Sequence, residues 1–163
     1  MESEYHVQQV WEGRLDAARL VRYYGSVANR LRKLHKAFTV FVAIMSTGAA
    51  FSFLGGGPDW VSGIASILVA TAAAWSSYSD YSQKSLFASN LRMECGDLER
   101  EWKRLWSEVG GLCAELAIER ALELERRADQ ITAQVPAQLP TYKKLNEECA
   151  REVYELNEVE QPI

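Results

Sequence analysis

Few side chains in this 163-residue chain are of the types that do catalytic or metal-binding chemistry. The two histidines, His6 and His35, form neither a metal-ligand spacing nor a nucleophile–base arrangement, and we expect His6 to lie in a frayed N-terminal region. The glycines at 55–57 precede Pro58, which predicts a turn and not a phosphate-binding loop. The sequence therefore predicts no catalytic, cofactor-binding or metal-binding residues, and a protein that is not an enzyme.

The three cysteines, Cys95, Cys113 and Cys149, are the other reactive groups. Their number is odd, and all three fall on or near the apolar faces of predicted helices, which favours reduced thiols that fill a core. The alternative is a redox link between two helices. The carboxylates between 94 and 125 are spaced like those of a solvated helix surface.

The charges are distributed unevenly along the chain. Residues 1–37 hold seven Lys and Arg against four Asp and Glu, 38–78 hold one charged residue, Asp59, and 79–163 hold eleven Lys and Arg against seventeen Asp and Glu. A net charge of −4 argues against direct binding of nucleic acid. A basic, then uncharged, then acidic order is typical of membrane proteins.

Two uncharged segments, 37–54 and 60–78, contain eighteen and nineteen residues. At about 1.5 Å per residue, a helix of this length spans roughly 27–28 Å, close to the thickness of the hydrocarbon core. The glycine, proline and aspartate residues at 55–59 predict a short loop between them. We therefore predict a transmembrane helical hairpin over 37–78. The alternative is a helical hairpin buried inside a soluble bundle.

Basic residues indicate the orientation of this hairpin. They flank its open end and are absent from its loop: Arg30, Arg32, Lys33 and Lys36 precede the first span, and Lys84 and Arg92 follow the second. We interpret the first four as the basic side of a membrane interface. Aromatic residues flank the hairpin as in the aromatic belts of membrane proteins, with Trp60 at the loop end and Phe38, Trp75, Tyr78 and Tyr81 at the open end. The positive-inside rule then predicts an inner-membrane protein with the lipid bilayer as its partner and both termini in the cytoplasm.

Small residues recur on one side of each predicted span: Ser62, Ser66, Ala70 and Ala74 in the second, and Gly48 and Ser52 in the first. Small residues four positions apart let helix backbones approach closely. This face is interpreted as the packing seam between the two spans, or as a subunit contact or weakly polar pore lining in a homo-oligomer.

Heptad spacing continues on both sides of the hairpin. It predicts one seam at Leu20, Tyr24, Val27, Leu31, Leu34 and Phe38, and another at Leu91, Cys95, Leu98, Trp102, Leu105, Val109, Leu112 and Leu116. We expect the seams to meet as an antiparallel cytoplasmic stalk whose core includes Leu31, Leu98, Trp102 and Leu105. In this stalk, Trp102 and Leu105 would face the seam at 20–34. Gly110 and Gly111 predict a kink or break.

The predicted organisation is all-α, with no strand-like alternation. An amphipathic helix covers 1–36, the hairpin 37–78, long helices 79–135 and a proline-bounded helix 136–163. Apolar positions of the run at 115–135 are expected at Leu116, Ile118, Leu122 and Ile131. Thr141 is the expected N-cap of the last helix, which runs to about Glu158. Its predicted apolar face is Tyr142, Leu145, Cys149, Val153 and Leu156.

The segments 30–36 (RLRKLHK) and 101–106 (EWKRLW) flank two weakly hydrophobic spans with a minimal loop. This combination, over about 12–130, resembles the SLATT proteins, two-transmembrane effector domains of bacterial nucleotide-signalling anti-phage systems. The resemblance implies an effector that a sensor protein or nucleotide signal activates, and that then assembles and permeabilises the inner membrane. A membrane-anchored helical adaptor without pore activity, or a soluble helical bundle, would fit the same pattern.

Overall fold

The computed structural model describes residues 2–54, 59–135 and 139–157. This part of the chain forms five α-helices: α1 (Glu2–Leu54), α2 (Asp59–Ser79), α3 (Tyr81–Glu108), α4 (Ala114–Ala133) and α5 (Lys143–Asn157). Every regular element in the described ranges is helical, which confirms the all-α prediction. Most of the predicted loop at 55–59 lies outside the described residues. So do residues 136–138, at the start of the predicted segment 136–163.

Helix α3 ends just before Gly110 and Gly111, where the sequence predicts a kink or break. The helix stops at Glu108, a single 3₁₀ turn covers Val109–Gly111, and Leu112 is extended with φ −91° and ψ 149°. Glycine loses more backbone entropy in a helix than any other residue, so the helix is weakest at this point. The predicted break is confirmed.

A second break, at Asp80 between α2 and α3, was not predicted. Asp80 adopts a left-handed backbone conformation with φ +46°, and its carbonyl oxygen accepts a hydrogen bond from the Lys84 backbone N–H at 3.0 Å. Aspartate is among the few residues other than glycine that enter this region. Because neither glycine nor proline marks the position, the break has no strong signal in the sequence.

The chain divides into two compact units. One, here called the bundle unit, comprises residues 1–27 and 87–163, and the other, the apolar unit, comprises 28–86. Both divisions fall inside helices, one within α1 and one within α3. The charge pattern indicates other boundaries, at 36/37 and 78/79, because it marks where charges stop and not where contacts change.

In the bundle unit, α1 and α3 run antiparallel. The Trp11 and Trp106 rings lie 5.1 Å apart between centroids. Further along, a β-carbon added at Gly25 would lie 3.2 Å from the Arg92 side chain. Residue numbers thus fall along α1 as they rise along α3, in agreement with the predicted antiparallel packing.

The register of this pair differs from the prediction at Trp102. The Trp102 ring is 2% exposed, and a β-carbon at Gly13 would overlap it. Trp102 therefore packs on Gly13, N-terminal to the predicted seam, which begins at Leu20. Glycine permits this register because it leaves the indole the space that a side chain would occupy.

Two positions of α1 also differ from the prediction. Leu34 is exposed while His35 is partly buried, so the buried line passes from Leu31 through His35 to Phe38. His6, which was expected in a frayed region, is buried within α1. The N-terminal part of α1 is ordered by packing because it contributes Val10 to the core of the bundle unit.

Helix α4 buries Ile131 as predicted, but its other buried residues differ from the prediction. Its buried residues are Ala117, Ala121, Leu124 and Ile131. Leu122 is 53% exposed and Leu116 is 38% exposed, so the predictions for these two leucines are wrong, as is the continuation of the α3 seam to Leu116. Because the 3₁₀ turn separates α3 from α4, the heptad spacing of α3 does not continue into α4. The buried face of α4 also includes Ala117 and Ala121, which a search for large apolar residues overlooks.

Helix α5 packs on the first part of α1. Val153 forms a buried cluster with Trp11 and Leu15, and Leu145 and Cys149 are also buried, in agreement with the predicted face. Leu156, expected on the same face, is exposed.

The predicted N-cap of α5 is wrong by one residue. The Asn146 N–H donates to the Tyr142 carbonyl at 3.0 Å, so Tyr142 rather than Thr141 precedes the first helical residue. The Tyr142 N–H in turn donates to the Tyr23 hydroxyl of α1 at 3.1 Å. This start of the helix is therefore fixed by a contact between distant segments.

Candidate functional site

The thiols of the bundle unit differ in burial. Burial raises the pKa of Cys95 from 9.0 to about 11, with a smaller contribution from the Glu94 carboxylate. Burial also raises the pKa of Cys149. Both side chains are therefore protonated, weakly reactive core groups. Cys113 is exposed at the start of α4, so the prediction that its thiol fills a core is wrong.

The bundle unit contains a cavity of about 350 Å³ between α1, α3 and α4. Carboxylates of Glu12, Asp16, Glu125 and Asp129 line it, together with the Trp102 ring. The Gln9 side-chain amide donates to Glu125 across the cavity at 3.0 Å. Within the described residues, no group of three or more His, Cys, Asp or Glu side chains is arranged to hold a metal ion.

The apolar unit has an unusual surface, because large apolar side chains are exposed along both of its long helical segments: Val40, Phe41, Ile44, Trp60, Ile64, Ile67, Leu68 and Trp75. Ile44 in α1 is 64% exposed and Ile67 in α2 is 67% exposed. A helix on the surface of a water-soluble bundle normally carries polar side chains on its outer face. The outer faces described here carry large apolar side chains and, as polar groups, only uncharged residues such as Ser46 and Thr71.

The inner faces of these helices are apolar as well. Phe38, Val42 and Met45 form one line on α1 and are partly buried, as are Val69 and Ala72 on α2. Their spacing continues the 3–4 periodicity of the buried line that passes through Leu31. Large apolar side chains therefore lie on both the exposed and the partly buried sides of these segments.

Four hydroxyl groups of these segments form hydrogen bonds within their own helices. Thr39, Ser46, Thr47 and Thr71 each donate to the backbone carbonyl four residues earlier, at 2.5–2.9 Å. This arrangement leaves the hydroxyl hydrogens independent of water. It is compatible with an apolar environment around the helices.

The predicted small-residue face is described only in part. Ser66, Ala70 and Ala74 of α2 are exposed. Gly48 and Ser52 lie in α1 and Ser62 in α2, but their side chains lie outside the described residues. The exposure of the three described positions favours a contact outside the chain over a seam between the two helices.

The polar end of the apolar unit carries both predicted interface features. Arg30, Arg32, Lys33 and Lys36 are all exposed on α1. Two residues beyond Lys36, the Phe38 ring stacks on Tyr81 with centroids 5.8 Å apart and an interplanar angle of 17°. Aromatic residues are therefore close together in space next to the cations, as the sequence pattern predicts.

Among the described residues, no helix combines the length and the apolar character that a membrane span requires. Comparison of the chain with protein-family models finds no match, and comparisons with curated proteins and with solved structures find none either. The resemblance to the SLATT proteins stays a prediction.

Proposed function

We propose that the chain is a membrane-inserted effector of a bacterial defence system, which assembles on activation and permeabilises the inner membrane. One observation carries the proposal: the helices of the apolar unit expose Ile44, Ile67 and other large apolar side chains along their length. Extended apolar surface of this kind on a single chain marks a contact with membrane or protein. The defence context comes from the resemblance to the SLATT proteins.

The composition of the two segments supports lipid as that contact. Residues 37–54 and 60–78 contain no Asp, Glu, Lys or Arg. In a bilayer, each polar group must find its hydrogen-bond partner within the protein. The hydroxyls of Thr39, Ser46 and Thr71 meet this requirement through backbone carbonyls of their own helices.

In this proposal, the bundle unit receives the activating signal from a sensor protein or nucleotide. Its core includes Trp102, Leu98 and Val153, so it has a packed scaffold of its own. Activation then brings the small-residue faces of several copies together, because Ser66, Ala70 and Ala74 are exposed and permit close backbone approach. The proposal assigns no catalytic role to any residue.

Membrane insertion and orientation are tested first. After expression, carbonate washing should leave the chain with the membranes, and a cysteine introduced at Gly56 should react with an impermeant reagent on intact cells. Cysteines at Arg14 and Glu147 should stay protected. Release of the chain by carbonate would overturn the proposed membrane location, and labelling at Arg14 would overturn the orientation with both termini inside.

The activity is tested with Ser66→Leu and Ala70→Leu. Leucine makes α2 more apolar, so insertion should persist, while its bulk hinders close contact between helices. We expect these variants to lose dye uptake and growth arrest at unchanged membrane abundance. The matched control is Thr71→Leu, which adds similar bulk to an exposed position beside the small-residue face. Full toxicity of both face variants at wild-type abundance would contradict the assembly role.

The second candidate is a membrane-anchored adaptor or scaffold. The observation that favours it is the separate core of the bundle unit, which needs nothing from the apolar unit to bury Trp11, Leu15 and Val153. An adaptor would tolerate any apolar helix of suitable length as an anchor. It would therefore cause no dye uptake in the wild type, whereas an activated effector would.

A further inference from the structure

A group of cations lies just before the uncharged C-terminal part of α1, residues 37–54. Arg30, Arg32, Lys33 and Lys36 are exposed, whereas Leu31 is almost completely buried. Residues three and four apart are neighbours on a helix, so Arg30, Lys33 and Lys36 form one line and Arg32 lies beside Lys36. The four side chains make one surface on the side of α1 opposite Leu31. We call it the basic surface.

Few acidic groups are available to neutralise this surface. The sequence has no Asp or Glu between Asp16 and Asp59. Within the described ranges, no carboxylate forms an ion pair with Arg32, Lys33 or Lys36, although Arg22, Arg120 and Arg127 of the bundle unit all have such pairs. The local positive potential therefore attracts anions from outside the chain.

The surroundings of the basic surface indicate which anions these are. Next to it along α1, Phe38 stacks on Tyr81, and Val40 and Phe41 follow with exposed side chains. A small soluble anion would neutralise the cations but leave these apolar side chains uncovered. A phospholipid has a phosphate for the cations and acyl chains for the apolar side chains within one molecule.

We infer that the basic surface binds the phosphate groups of anionic phospholipids, with Arg32 suited to a bidentate contact and Lys33 and Lys36 acting as point charges. This inference rests on the proposed membrane function and adds to it a preference for lipid charge. Basic residues next to a membrane segment each contribute to such a preference, and the contributions accumulate. Loss of three cations should weaken the preference for anionic over neutral lipid about a hundredfold.

The test uses the purified full chain and two kinds of vesicle, phosphatidylcholine alone and phosphatidylcholine with phosphatidylglycerol. The measured quantity is the partition of the chain from dilute detergent into each vesicle by flotation. The variant Arg32→Gln/Lys33→Gln/Lys36→Gln should keep its partition into neutral vesicles and lose the preference for anionic ones. The matched control, Arg126→Gln/Lys143→Gln/Lys144→Gln, removes three exposed cations of the bundle unit and should keep the preference.

The outcomes separate this inference from the proposed function. Equal partition of the wild type into both vesicles would overturn the inference and leave membrane insertion intact, whereas absence from both would overturn the membrane function and the inference together. Equal loss of preference in both triple variants would also overturn the inference, because net charge alone would explain it. A final arm adds inorganic phosphate against chloride of equal ionic strength. If phosphate alone abolishes the preference, the surface binds soluble anions and the assignment to lipid is wrong.

Discussion

The bundle unit and the apolar unit use large apolar side chains in opposite ways. In the bundle unit, Trp102 and Leu98 are 2% and 1% exposed, whereas in the apolar unit Trp75 is 55% exposed. Helix α1 contributes to both units without interruption, so the same regular backbone serves a core in one and an apolar surface in the other. Helical periodicity therefore reports the buried line of a helix but not the medium around its remaining faces.

Charge accounts for the rest of the contrast. Ion pairs in the bundle unit join neighbouring helices at the solvated rim, as Arg120 does with Glu108 at 2.8 Å and Arg127 with Glu101 at 2.6 Å. The segments 37–54 and 60–78 have no charged side chains with which to form such a rim. The two units therefore differ in the side chains of their outer faces: charged in the bundle unit, and uncharged in segments 37–54 and 60–78.

Replacing one tryptophan in each unit gives the largest expected difference. Trp102→Ala should lower the free energy of unfolding by about 3–5 kcal/mol, since it removes a fully buried indole from the Gly13 contact. Trp75→Ala should change the same quantity by less than about 1 kcal/mol, because much of that ring is exposed. The measurement is urea unfolding of the full chain in mild detergent, followed by circular dichroism. Equal effects of the two variants would mean that the units do not differ in packing.

A lysine at an exposed apolar position separates lipid from water as the medium. Ile67→Lys should destabilise membrane insertion by about 2.5–3.5 kcal/mol, the cost of lysine at the centre of a membrane helix. Leu122→Lys, at an exposed position of the bundle unit, should leave insertion unchanged. The membrane-bound fraction after carbonate washing gives both values. Wild-type retention of Ile67→Lys would indicate that α2 does not cross lipid.

The cysteines sharpen the contrast within the bundle unit. Because burial raises the pKa of Cys95 from 9.0 to about 11, its thiolate fraction at neutral pH should be about a hundredfold below that of an unperturbed thiol. Alkylation should therefore modify Cys113 first and Cys95 at least about a hundredfold more slowly. Mass spectrometry of single-cysteine variants measures both rates. Comparable rates at pH 8 would show that the core around Cys95 is open.

The same shift has a consequence at high pH. Folding keeps the Cys95 thiol protonated, so its contribution to stability is fully present below the unfolded pKa of 9.0 and is lost as the pH rises towards about 11. The pKa of Tyr24, which burial raises from 10.0 to about 12, adds a loss in the same direction. Cys95→Ala should therefore flatten the first part of the alkaline loss of stability.

The smallest expected effect concerns the rim of the bundle unit. Glu101→Gln removes the ion pair with Arg127, but both side chains are more than two-fifths exposed. Solvent screens such pairs, so the free energy of unfolding should fall by less than about 1 kcal/mol. Urea unfolding at low and high salt would measure it. A loss as large as that of Trp102→Ala would mean that charge, and not packing, holds α4 on α3.

The fold was predictable wherever local pattern decides it. Helix was expected throughout, and the break at Gly110 and the buried line through Leu98 and Leu105 follow from glycine entropy and heptad spacing. The packing of Trp102 on Gly13 was not predictable, because it depends on the register between two helices far apart in sequence. The break at Asp80 was not predicted, because neither glycine nor proline occupies that position in the sequence.

The candidate site shows the same limit. The basic residues and the neighbouring aromatic group were visible in the sequence, because charge and residue type are read directly. The exposed faces of α2 could not be predicted, because residues 60–78 contain no charged side chains whose periodicity would distinguish an exposed face from a buried one. The alanine face of α4 was missed for a related reason, since alanine is common on surfaces and in tight helix contacts alike.

The contact between α1 and α5 also bears on the order in which the protein can fold during synthesis. Arg14 donates to Asn157 across 143 positions of the chain, and Trp11 completes its cluster with Val153. A ribosome releases α1 and α2 long before α5, and closing so long a loop is slow. The nascent chain therefore carries its apolar helices while Trp11 and Leu15 are not yet covered by Val153 of α5.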